Sequence, residues 1–284
     1  MPSPSPSLRP LTRRDLGMRI FCLVNGAFWA LLAVALYAQA SWVTALWPWP
    51  EAGMSFVFLS SIMAAIAAPS IWIGITGDLA VFAGVGINTM AVNLAVGAYL
   101  LWRVSRAGEA LIGGLGFAVV GFLLGGGFFL WSRRLPVRDP RPMPPLVRWS
   151  FVVFTLVLMV AGTALALQVE HVFPWDLQPP SSTIFGFIFL GAATYFIHAI
   201  AHPRWAYGAV PLWAFLAYDV VLFVPYGRML LGPDPEVLAL AGGGVNRGSL
   251  VIYLTVITAS ALLTLYMFFL HPTTRLIRPH ISSG

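Results

Sequence analysis

Apolar residues run almost without interruption along this chain in stretches of about twenty, the length an α-helix needs to cross the hydrocarbon core of a bilayer. Short polar segments carrying Pro, Gly and Arg separate them. The pattern predicts eight spans, near 18–40, 54–76, 79–102, 110–131, 149–168, 182–201, 205–227 and 249–270. Backbone polar groups find no partners in lipid, so each span must satisfy its own hydrogen bonds as a helix, and the predicted fold class is an all-α polytopic membrane bundle.

The spacing of the polar marks repeats. Trp47-Pro48-Trp49 follows the first span and Phe173-Pro174-Trp175 follows the fifth. Trp49 to Asp78 is 29 positions and Trp175 to Arg204 is also 29; Asp78 to Arg103 is 25 and Arg204 to Arg228 is 24. These matched spacings predict two related four-helix repeats, 18–131 and 149–270, joined by a Pro/Arg linker at 132–148. With an even number of spans per half, the repeats enter the membrane from the same side and are parallel. Residues 1–17 read as a disordered arm and 271–284 as a tail.

Charge orients the bundle. The chain has 16 basic residues, all Arg, against 10 acidic ones, and only 9% of residues are charged against 59% hydrophobic, which excludes an ordinary water-soluble domain. The Arg residues lie mostly between apolar runs and form no stripe of the kind that grips nucleic acid, so a nucleic-acid partner is not expected. Placing the linker inside puts 12 of the 16 Arg on the cytoplasmic side, leaving Arg103, Arg106, Arg228 and Arg247 outside, and both termini cytoplasmic. With Arg as the sole basic residue and abundant Ala, Gly and Pro, the expected location is a bacterial inner (plasma) membrane. Arg-rich residues, an apolar run and Ala38-Gln39-Ala40 also resemble a secretory signal. The first run is nevertheless long enough to span and has a counterpart in the second half. Nine of eleven Trp, all but Trp29 and Trp213, fall near predicted span ends and read as an aromatic belt. The single cysteine, Cys22, lies inside the first run and reads as packing.

A few polar positions within the spans are candidates for function. A carboxyl inside an apolar span is costly and is kept for a reason, which singles out Asp219. It precedes Arg228 by nine residues, about 13 Å into the seventh span. Asn93 occupies the corresponding depth of the third span, and a pseudo-twofold axis along the membrane normal puts the two face to face around a central ligand site with Asn88 and Tyr226. The alternative keeps Asp219 structural, protonated or bonded to Tyr226, Asn93 or Thr89. His198 and His202 share one face of the sixth span, a weak candidate for haem or metal in the absence of a third ligand. Gly114, Ala118, Gly121 and Gly125 line one face of the fourth span, where small side chains let another helix approach closely, in this chain or in a homodimer. No Ser-His-Asp order, zinc-binding helix motif, Walker loop or dinucleotide fingerprint is present, so neither an enzyme nor a cofactor is expected. The readings left open are a transporter-like module contacting solute or lipid, an accessory subunit of a larger membrane complex, and a redox protein using His198 or His202. The segment 229–248, much longer than its counterpart 104–109, reads as a lid, a docking element or a tolerated insertion.

Overall fold

A computed structural model describes residues 13–232 and 235–276 of the chain. Arg9, Pro233, Asp234 and Arg278 lie outside them, as does most of the anticipated N-terminal arm. Among the described residues the secondary structure is helical, in the order α1 (Arg13–Tyr37), α2 (Ser41–Thr44), α3 (Gly53–Thr76), a 3-10 turn (Leu79–Val81), α4 (Phe82–Ala107), α5 (Ile112–Ser132), α6 (Pro145–Ala166), α7 (Pro179–Ala201), α8 (Trp205–Leu231), α9 (Pro235–Leu240) and α10 (Arg247–Leu265). A π-helical turn, Tyr266–Leu270, extends α10. All except α2 and α9 belong to the eight segments long and apolar enough to cross a membrane. The protein is a multi-pass helical membrane bundle.

The predicted spans are found, with corrected ends. Arg13 to Gly17 belong to α1 and not to the arm. Arg103 and Arg106 lie within the last turns of α4 and not in a loop, and α6 begins at Pro145, inside the expected linker. Proline at the first helical position costs no hydrogen bond because that N–H has no intrahelical acceptor, which is why α6 and α7 can start on Pro145 and Pro179.

Consecutive helices pack as antiparallel hairpins: α1 with α3, α4 with α5, α6 with α7 and α8 with α10. Two further pairings join the halves, α3 with α8 and α4 with α7. The first pairs the second span with the seventh and the other pairs the sixth with the third, so the arrangement maps onto itself when the halves are exchanged. The peripheral helices turn large apolar side chains outward, among them Val34 on α1, Phe117 on α5 and Val160 on α6, each more than 60% exposed. Such side chains are solvated by lipid.

Two aromatic clusters fill the centre. One occupies the end of the bundle that carries the linker and includes Phe151, Phe196, Trp205 and Phe268. The other occupies the far end and includes Phe58, Phe173, Phe185 and Tyr226. Phe58 lies 4.7 Å from Phe185 and 4.8 Å from Phe173 between ring centroids, in the tilted and edge-on arrangements that favour the ring quadrupoles. Phe58 of the first half thus packs on Phe173 and Phe185 of the second.

At the linker end residues 137–143 form a folded strap. Asp78, in the turn between α3 and α4, accepts the backbone N–H groups of Arg138 and Asp139 on Oδ2 at 3.1 and 3.0 Å. Met143 N–H donates to Pro203 O at 3.0 Å and Trp205 N–H to Arg141 O at 2.7 Å. The Arg141 guanidinium reaches both Asp139 and Thr273 O, the latter at 2.6 Å. The strap therefore ties the α3–α4 turn, the α7–α8 turn and the end of the last span together. Arg19 adds a cap to α3, donating to Gly74 O and Ile75 O at 2.8 Å each, where helical carbonyls run out of intrahelical donors.

Candidate functional site

The far end is built from two loops and an inserted helix. Trp47 Nε1–H donates to Ser181 Oγ at 3.0 Å, and Trp175 Nε1–H donates to Ser55 Oγ at 3.0 Å. Ser55 stands six residues after Trp49 and Ser181 six after Trp175, so the two serines are equivalent in the register that aligns the halves. Each half thus reaches into the first turn of the other half's second helix. Trp175 is 3% exposed. Trp175 therefore sits between helices and not in an aromatic belt, whereas Trp47 and Trp49 stay half-buried at the end of the bundle.

Glu51 lies between these clasps. Ser55 Oγ–H donates to Glu51 Oε2 at 2.8 Å, whereas Oε1 is buried and has no hydrogen-bond partner among the described residues. Burial pushes the carboxyl above its usual range; the hydroxyls of Ser181 and Ser55 and the backbone of Gln178 offset part of that rise. The carboxyl borders a cleft of about 330 Å³ lined by Pro50, Ala52, Asp176, Gln178, Ala241 and Gly242. A second cleft of about 420 Å³ shares Asp176 and extends past Gln168, Glu170, His171 and Trp175.

The inserted segment lines one side of the first cleft through Ala241 and Gly242. Leu240 at the end of α9 lies against Gly53, where an added Cβ would stand 2.6 Å from Leu240 Cδ2, and Ala241 is 3% exposed. Asn246 N–H donates to Pro174 O at 2.7 Å, and Ser249 Oγ–H donates to His171 O. Residues 235–249 are therefore seated on the loops that form the cleft.

The four residues expected to share a central site do not meet. Asp219 faces α10, where Ser260 Oγ lies 2.6 Å from its Oδ2. Asn93 faces α5: its Oδ1 lies 2.4 Å from where a Cβ on Gly121 would stand, and its Nδ2 donates to Thr89 O at 2.8 Å. Asn88 faces α7, its Oδ1 lying 3.0 Å from the Cβ position of Gly191. Tyr226 is fully buried at the far end, its ring 5.9 Å from Trp175 and 5.2 Å from Tyr253. Counting residues along a helix leaves rotation about its axis open, and Asp219 and Asn93 each turn into their own hairpin. Nor does Asp219 bond to Tyr226, Asn93 or Thr89; its partner is Ser260.

The small face of α5 is filled from within the chain. A Cβ on Gly125 would stand 2.8 Å from Met90 N and 2.9 Å from Gly86 O, one on Gly114 3.1 Å from Leu100 Cδ1, and the Cβ of Ala118 lies 3.3 Å from the Cβ position of Gly97. Together with Asn93 against Gly121, these contacts seat α4 on all four small positions.

No protein-family model matches the chain, and no curated protein and no solved structure matches it either. Function has to be read from its own geometry.

His198 and His202 do come together, with ring centroids 4.4 Å apart, and Tyr207 stands edge-on to His198 at 5.3 Å. His202 Nδ1 lies 3.0 Å from His198 O, so one ring is engaged with its own helix. Among the described residues no group of three or more His, Cys, Asp or Glu is placed to hold a metal ion. Glu51 and Ser260 were passed over in the sequence. Ser55 and Ser181 carried the signal for Glu51 through their matching offsets, whereas Ser260 has none, being one hydroxyl among several in an apolar helix.

Proposed function

We propose that this protein is a non-enzymatic, transporter-like membrane module that recognises a small cationic solute, such as an organic amine, at the Glu51 cleft. The observation that carries the reading is the Glu51 carboxyl, held at the seam between the halves by Ser55 with Ser181 alongside, one oxygen unpartnered, bordering a cleft that Asp176 also lines. A concave site with a few convergent polar groups, one of them perturbed by burial, is the general form of a small-molecule site. Two carboxylates at the cleft favour positive charge. Arg placement supports a cytoplasmic linker end and an outward-facing cleft.

This reading moves the site from the third and seventh spans to the far ends of α3 and α7. The seating of residues 235–249 over the loops supports a covering element rather than a surface offered to another protein. The test is a thermal-shift panel of small organic amines on the detergent-solubilised protein. A ligand that binds the folded state raises its melting temperature in proportion to the logarithm of occupancy. At least one amine is expected to stabilise the wild type and to lose that effect in Glu51→Gln. A panel that leaves the wild type unmoved, or acts equally on Glu51→Gln, would refute the assignment.

A further inference from the structure

Asp219 is 2% exposed, mid-way along α8, and Oδ1 has no hydrogen-bond partner among the described residues. Neither does any ion pair found among those residues include it. A bare carboxylate in such a place is expensive. Ser260 Oγ stands 2.6 Å from Asp219 Oδ2 and 3.0 Å from Ile257 O.

The hydrogens can be counted. A serine hydroxyl carries one hydrogen, and a carboxylate and a carbonyl are both acceptors. If Asp219 is ionised, Ser260 faces two acceptors with one hydrogen, and one of those contacts is unserved. If the carboxyl carries a proton, each contact has its own hydrogen: Asp219 Oδ2–H donates to Ser260 Oγ, and Ser260 Oγ–H donates to Ile257 O.

Among the described residues no cation is found to pair with Asp219. Tyr218 and Tyr253 are the titratable side chains beside Asp219, and their hydroxyls hydrogen-bond to each other. Tyr226, two turns further along α8, packs on Tyr253, two turns before Ser260 on α10. The antiparallel hairpin thus matches Asp219 with Ser260 and Tyr226 with Tyr253, a polar ladder within one helix pair.

We propose that Asp219 is a proton-binding site within the membrane, with Ser260 as the acceptor of the bound proton. Releasing that proton leaves a carboxylate, and the Ser260 hydrogen turns from Ile257 O to Oδ2. One proton leaves, no covalent bond other than O–H breaks, and the hydrogen bonding between α8 and α10 is rewired. This site stands on the α8–α10 geometry alone and does not depend on the Glu51 cleft.

The test is infrared spectroscopy of the folded protein in lipid at neutral pH, with and without carbonyl-¹³C aspartate. The wild type should show the carbonyl stretch of a protonated carboxylic acid that moves on labelling, weakens in Asp219→Asn, and shifts to higher frequency in Ser260→Ala, where the proton loses its acceptor. No label-sensitive acid band in the wild type, or a band undiminished in Asp219→Asn, overturns the proposal. If Asp219→Asn does not fold, Ser260→Ala decides alone: a folded variant with an unshifted band also overturns it.

Discussion

The crossing of α4 and α5 gives a sharp test of the packing argument through two glycines of the same helix. In α5, a Cβ on Gly125 would sit 2.8 Å from Met90 N and 2.9 Å from Gly86 O, whereas one on Gly127 would meet nothing within 4 Å. Both positions are interior to the helix, so replacing either by Ala brings the same gain in helix propensity, about 1 kcal/mol on scales measured in water, which cancels when the variants are compared. What differs is the clash. Backbone atoms cannot rotate aside as a side-chain tip can, so α4 and α5 must separate by several tenths of an ångström, and that gap is felt along the whole small-residue face. Overpacking of this kind costs about 1–3 kcal/mol. Gly125→Ala should therefore be less stable than Gly127→Ala by about that amount, read from reversible unfolding in mixed micelles of rising dodecyl sulfate content and followed by tryptophan fluorescence. Gly86→Ala, whose Cβ would lie 2.6 Å from Gly125 O, should behave like Gly125→Ala, and the double variant should cost less than the sum because one separation relieves both clashes. If Gly125→Ala is as stable as Gly127→Ala, the close approach of the two backbones is wrong.

Burial raises the Glu51 carboxyl above its unfolded value, so its contribution to stability is complete below the unfolded value and is lost as pH rises through the native one. The wild-type melting temperature should fall over that rise in pH and Glu51→Gln should flatten the slope; an unchanged slope in the variant removes Glu51 as its source. Asp78 is raised by burial as well, against the lowering effect of the Asp139 and Arg138 N–H groups, and leaves a residual slope of the same sign. Asp78→Ala takes the acceptor from those two N–H groups, at about 1–3 kcal/mol for each that stays buried. Tryptic cleavage after Arg138 should accelerate in this variant while cleavage elsewhere is unchanged; equal rates would show that Asp78 does not hold the strap.

Some of the site was legible in the residues and some was not, for reasons that differ by position. Asp219 stood out because a carboxyl in an apolar run is conspicuous whatever surrounds it. Its partner did not, because Ser260 becomes informative only when the α8–α10 register sets it opposite. The glycines of the fourth span announced a close approach, and α4 supplies it. Glu51 was hidden by its position in a loop, where an acidic residue is ordinarily solvated. Only the folding of the two loops against each other brings Ser55, Ser181 and Gln178 around its carboxyl.

Hydropathy determined the number of membrane-spanning helices and their approximate limits, because lipid admits only chains that satisfy their own backbone, and that requirement is local. Counting residues along a helix at a fixed rise gives distance along its axis and nothing about which way a side chain turns. Rotation and neighbour choice are not local. Whether Asn93 turned toward Asp219 or toward Gly121 depended on which faces of α4 and α5 fitted together, a matter of close packing among many side chains distant in sequence. The tertiary structure alone decided that two indoles cross between the halves to find hydroxyls, that the Arg-rich linker lies down as a strap, and that the carboxyl between the clasps is buried.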